Sequence, residues 1–220
     1  MCSTFKTLLA AQVLSRVDTG REHLDRVIPY GEADLLDYAP VTRAHVAEGG
    51  MTVDGLTAAA VEQSDNTAAN LLLATVGGPA GFTQHLRSIG DSVTRLDRVE
   101  PTLNSAEPGD DRDTTTPAAM LEDMQVILLG TALTRPSRDR LVNWLVGGTT
   151  GDTKLRAGLP TGWRVGDKTG TGAHGSNNDV ALAWPPSGAP VVIAAYSVGS
   201  TATEAVRDAA LAAVARVVTS

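Results

Sequence analysis

Apolar residues recur at helical spacing through the first two thirds of the chain, and short extended runs replace them in the last third. Residues 3–15 are apolar on most sides (Leu8, Leu9, Ala10, Ala11, Val13, Leu14), which predicts a helix buried all round. A polar stretch, residues 18–40, follows and holds Ile28-Pro29-Tyr30-Gly31 with turn chemistry. Residues 52–63 carry Val53, Leu56, Ala59 and Ala60 on one face, with Asp54 placed to suit the helix dipole. Further helices are predicted over 67–76, 79–90, 117–129 and 137–146. Between 91 and 116 the periodicity fails, and charges, Pro and Gly take over; a structureless run this long inside a domain usually serves function. After Gly147-Gly148, residues 163–168, 179–184 and 190–198 read as strands, the last two joined as a hairpin. Thr201-x-x-Glu204 reads as a capping box for a last helix with Val206, Ala209, Ala210, Ala213 and Val214 on one face. The expected architecture is α+β: a mainly helical part over 1–146 and a small antiparallel sheet with one helix over 147–220. No internal repeat is found.

Composition narrows the classes. Aromatics are 4% against 42% hydrophobic residues, so Ala, Val and Leu must build the interior. A net charge of −7 argues against nucleic-acid or anionic-membrane partners. No apolar run reaches membrane-spanning length, and no export segment is visible at the start. One cysteine, Cys2, rules out an intrachain disulfide or a cysteine zinc cluster, and the four histidines lack ligand spacing; neither metal nor cofactor is expected.

Four short motifs carry candidate chemistry. Ser3 and Lys6 lie one helical turn apart, a hydroxyl nucleophile beside an amine able to take its proton once burial lowers its pKa. Ser64-Asp65-Asn66 lies between two apolar helices; a buried Ser there can relay a proton and a buried Asn can fix an amine or a substrate amide. Glu100 and Asn104 lie in the aperiodic segment, suited to hold and activate a water, and Arg98 with Asp113 can close that segment as a loop. Lys168-Thr169-Gly170-Thr171-Gly172 ends the first predicted strand, with cation, hydroxyl and edge backbone for an extended, carboxylate-bearing substrate. Alone, each reads as plainly as a cap, a turn, a charged loop or a strand boundary. Their coincidence in this order describes a serine acyl-transfer site.

The set resembles the class A serine β-lactamases over the whole chain, including Arg98-x-Glu100-Pro101-x-Leu103-Asn104, Arg112-Asp113-Thr114-Thr115 and Gly166-Asp167 before Lys168. The resemblance implies that Ser3 is acylated by a β-lactam and that the Ser3 and Thr171 amides form the oxyanion hole. It implies that Ser64 passes a proton to the ring nitrogen with Lys6 and Lys168 beside it, and that Glu100 with Asn104 activates the deacylating water. Either Lys6 or Glu100 is the acylation base. Asn66 would hold the substrate side-chain amide, Thr169, Gly170 and Thr171 the carboxylate end, and Tyr38 the entrance wall. Asn177 stands where many relatives carry an Arg, and Lys154 is expected to supply that cation. Gly172 stands where carbapenem-hydrolysing members carry the disulfide partner of Cys2. Relatives begin further upstream, with a signal peptide, a helix and two strands, so the chain is expected to be an N-terminally truncated, monomeric form of an exported enzyme. Completion by the missing segment in trans, an inactive fragment, and a penicillin-binding protein or D-Ala-D-Ala peptidase are the competing readings.

Overall fold

The computed structural model describes residues 1–219. A turn of 3-10 helix at Cys2–Thr4 leads into helix α1, Phe5–Asp18, whose Phe5, Leu8, Leu9 and Leu14 are at most 1% exposed. Each such side chain gains about 1.5–3 kcal/mol on leaving water, so α1 is the axle of the helical core. Around it pack α3 (Val53–Glu62), α4 (Asn66–Thr75), α5 (Gly78–Ser88), α6 (Pro117–Leu128) and α7 (Arg135–Val146). Their starts are fixed locally. The Thr52 hydroxyl accepts the Gly55 amide, the Asp65 carboxylate accepts Ala68, and Thr116 accepts Ala119, with a Pro following in α6. The polar stretch and the residues after it hold more order than their composition suggests: β1 (Val27–Pro29) pairs with β2 (Gly50–Thr52), and α2 (Pro40–Ala44) lies between them in the chain.

The last third is an antiparallel sheet of β3 (Arg164–Thr171), β4 (Asn177–Trp184) and β5 (Val191–Ser197) in that order, with α8 (Leu155–Gly158) before it and α9 (Glu204–Val218) behind it. Alternation along β4 joins the two halves. Val180 and Leu182 enter the helical core, while Ala181 packs with Leu155, Ile193, Ala195, Leu211 and Ala215 on the other face. The sheet is therefore a middle layer.

Three expectations need correction. The first strand, expected over 163–168, runs on through the Lys168 motif to Thr171, paired through Thr171↔Asn177. The Thr201 capping box does not form; α9 begins after Thr203, which makes no side-chain cap. The buried face of α9 is Asp208, Leu211, Ala212 and Ala215, whereas Val206 is 58% and Val214 39% exposed. Alanine and valine surround this helix, so apolar periodicity alone could not choose its inner face.

Candidate active site

The three-residue turn that carries Ser3 lies against β3 because residue 170 is glycine. A Cβ there would stand 2.9–3.1 Å from the Met1 carbonyl and the Thr4 and Ser3 amides, all backbone atoms that cannot swing away. Ser3 is 9% exposed, and its Oγ donates to Glu100 Oε1 at 3.1 Å. One turn on, Lys6 is wholly buried and spends its ammonium on Ser64 O (2.8 Å), Asn66 Oδ1 (2.6 Å) and Glu100 Oε1 (3.0 Å). Burial pushes the Lys6 pKa down, opposed chiefly by the Glu100 carboxylate.

Ser64 adopts a left-handed backbone, φ 57°, a conformation that costs a non-glycine residue about 1–3 kcal/mol. Its neighbour holds it there: the buried Asp65 carboxylate accepts the Val41 and Thr42 amides, the Thr42 hydroxyl and the Ala68 amide. Ser64 Oγ thereby meets Lys168 Nζ at 3.0 Å and Lys6 Nζ at 3.4 Å. Two lysines on one hydroxyl repel in a dry site. Burial first, then Lys6, lowers the Lys168 pKa to about 7.

Glu100 is delivered by the long irregular segment. Its backbone is latched to α4 in both directions, Glu100 N to Asn70 Oδ1 and Asn70 Nδ2 to Glu100 O, each 2.9 Å. Its Oε2 accepts Asn104 Nδ2 at 2.5 Å. The expected Arg98–Asp113 clasp is present at 2.5 Å, and Asp113 Oδ1 also collects the Asp97 and Arg98 amides. Sequence reasoning missed Asn70, although it lies four residues after Asn66 and so on the same face of α4.

Ser3, Ser64, Asn66, Asn104, Thr169, Thr171, Tyr38 and Lys154 line one cleft of about 400 Å³, with Thr150 and Glu204, which the sequence analysis did not assign to the site. Thr150 and Thr169 join their hydroxyls at 2.7 Å. Lys6, Glu100, Lys168 and Gly170 stand behind this lining. Lys154 is 4% exposed, and its ammonium is engaged by Asn177 Oδ1 (2.6 Å) and the Asp208 carboxylate, so its charge is already balanced. Asn177 is buried with its amide donating to Asp208 at 2.8 Å. Cys2 is a free, buried thiol, and a Cβ on Gly172 would lie 2.7 Å from its sulfur. Among the described residues no group of three or more His, Cys, Asp or Glu could hold a metal ion, and no helix is long and apolar enough to cross a membrane.

The family model described as the beta-lactamase enzyme family matches residues 1–220. The chain is 52% identical over 218 residues to beta-lactamase AST-1 of Nocardia asteroides, covering 99% of this chain and 70% of that protein. It is 49% identical to the carbapenem-hydrolyzing beta-lactamase KPC of Klebsiella oxytoca, covering 98% and 74%. It superposes on an ancestral class A beta-lactamase with a TM-score of 0.98 at 61% identity, covering 99% of this chain and 84% of that one.

Proposed function

From a chain that belongs to the beta-lactamase enzyme family, class A, we propose hydrolysis of penicillins and cephalosporins through an acyl-enzyme on Ser3, released by a Glu100-activated water. The observation that carries this reading is the convergence of the Ser3 hydroxyl and the Lys6 ammonium on one buried carboxylate oxygen, at 3.1 and 3.0 Å. Ser3 Oγ attacks the lactam carbonyl as its proton passes to the Lys6–Glu100 pair. The oxyanion lies between the amides of Ser3 and Thr171. As the C–N bond breaks, Ser64 gives its proton to the ring nitrogen and regains one from the lysines flanking it. A water held by Glu100 and Asn104 then attacks the ester, its proton going to Glu100, and Ser3 leaves with a proton restored. Asn66 takes the substrate's side-chain amide, Tyr38 borders the entrance, and Thr169, Thr171 and Thr150 take the carboxylate under the field of Lys168, with Lys154 held to Asp208 beside them. The Glu100–Asn104 pair favours turnover over the stable acylation of a penicillin-binding protein. Antibiotic resistance and an exported location belong to the same reading.

The test is turnover of a chromogenic cephalosporin by the purified chain, with intact-mass detection of the acyl-enzyme. Steady turnover supports hydrolysis, whereas a stable adduct without turnover would replace it with the penicillin-binding reading. A second reading concerns scaffold. Val206, Val214 and Val218 fall on one side of α9 and are 39–58% exposed, an apolar stripe suited to an added helix. An upstream segment supplied in trans would then raise activity and thermal midpoint together; no change in either would sink complementation.

A further inference from the structure

Two carboxyl groups outside the cleft meet in the interior. Asp91, after α5, is 8% exposed, and Asp123, in the middle of α6, is 3% exposed. Asp91 Oδ1 accepts the amides of Val93 (2.7 Å) and Thr94 (3.0 Å). Oδ2 of Asp91 and Oδ2 of Asp123 are both buried without a donor from any other group, yet the two side chains are in hydrogen-bond contact with each other. Two carboxylates are both acceptors, so such contact requires a proton between them.

The place of this pair matters. Thr94, whose amide Asp91 holds, joins its hydroxyl to that of Thr115 at 2.6 Å, and Arg95 N donates to Thr114 O at 3.1 Å. These contacts close the neck of the loop that delivers Glu100 and Asn104. We propose that Asp91 and Asp123 share one proton and act as a positioning pair for that loop: the proton ties α6 to the neck, and its loss sets two buried like charges against each other beneath it.

The surroundings favour one proton at neutral pH. Burial pushes Asp123 up to about 8, with Asp91 and Glu122 adding to it and Arg87 opposing. Burial also pulls Asp91 upward, but hydrogen bonds from Thr94 and Val93 more than offset it. Arg87 of α5 is turned to the Asp91 carbonyl at 2.5 Å. From β5, the buried Tyr196 phenol adds no positive charge; it is hydrogen-bonded to Thr4 and itself pushed up by burial.

The role in the loop rests on the proposed catalysis, but the proton does not, and the variant Asp123→Asn separates them. Its amide donates to Asp91 at every pH and carries no charge. The native state keeps a proton that the unfolded chain releases, so the contribution of this pair to stability must fall with rising pH. Relative to Asp123→Asn, the wild-type folding constant should drop by up to about tenfold per pH unit between about pH 4 and 8, then level off. Parallel curves would overturn the shared proton. In turnover, the ratio of wild-type to Asp123→Asn kcat should fall above about pH 8 with KM little changed. A constant ratio beside diverging stability curves would overturn the positioning role alone, and absent turnover would count against the catalytic reading instead. Should Asp123→Asn fail to fold, infrared spectra of the native protein decide the first point. Buried Asp179 is also pushed toward the protonated form, so the band that counts is one that disappears as pH rises past about 8 and shifts in Asp91→Asn; such a band supports the pair, and its absence overturns it.

Discussion

Replacing Glu100 with Gln changes one atom and removes the charge on which Ser3 and Lys6 converge. Lys6 and Glu100 side chains are both 0% exposed, so no solvent screens the loss. Lys6 would keep only neutral acceptors, Ser64 O and Asn66 Oδ1. An uncompensated buried charge costs about 3–5 kcal/mol. Lysine escapes part of this by releasing its proton, which from an ordinary pKa costs at most about 4.6 kcal/mol at pH 7. Burial already lowers the Lys6 pKa, and Glu100 is the largest influence holding it up. The variant therefore folds with a neutral Lys6, which is a competent base for Ser3. Acylation should persist, while deacylation loses its general base, worth about 10²–10⁴ in rate. Stopped-flow mixing with a chromogenic cephalosporin should show one rapid stoichiometric burst and then a crawl, with the adduct visible by intact mass. Loss of the burst would make Glu100 the acylation base, and wild-type steady turnover would remove Glu100 from the chemistry altogether.

Other expectations follow from single contacts. Gly170→Ala forces a Cβ against three backbone atoms of the nucleophile turn, so kcat/KM should fall at least tenfold while far-ultraviolet dichroism stays native, a loss of about 1.4 kcal/mol or more in transition-state stabilisation; unaltered kinetics would mean the turn can shift at no cost. Arg98→Ala leaves the buried Asp113 without its cation, and local opening of the loop should appear as faster amide exchange across residues 95–115 and slower deacylation, with the helical core unchanged. Lys168, charged below about pH 7 when folded but up to about 10.5 when unfolded, gives up its proton on folding, so its own contribution to stability rises with pH across that window. The stability advantage of Lys168→Met over wild type should accordingly be largest near pH 6 and shrink above about pH 7, as denaturant midpoints would show; an advantage that grows with pH would refute the assignment.

Much of this was legible because the signals are local. Helix starts at Thr52, Asp65 and Thr116 follow from one side chain and an amide three residues on, and the aperiodic run around Glu100 marks a loop whatever surrounds it. What escaped depends on contacts far along the chain. Asn70 matters only because Glu100 arrives beside it. The inner face of α9 is chosen by Asp208, which looks like a surface acid until Lys154 and Asn177 are seen to meet it. The three-residue strands β1 and β2 are too short to show alternation.

The same dependence explains why four commonplace motifs make one site. Ser3 and Lys6 come from the first turns of the central helix, Ser64 from a strained link between α3 and α4, Glu100 from a loop latched to α4, and Lys168 from a strand whose glycine lets it touch the Ser3 turn. Two of these placements, Ser64 and Glu100, converge with Asn66 on Lys6, which holds all three at once. An ammonium with no solvent needs such partners to stay folded, and those partners are the groups acyl transfer requires around the nucleophile. Burial of Lys6 is thus both a stability cost and the reason its proton can move, and any substitution that relieves the first should also weaken the second.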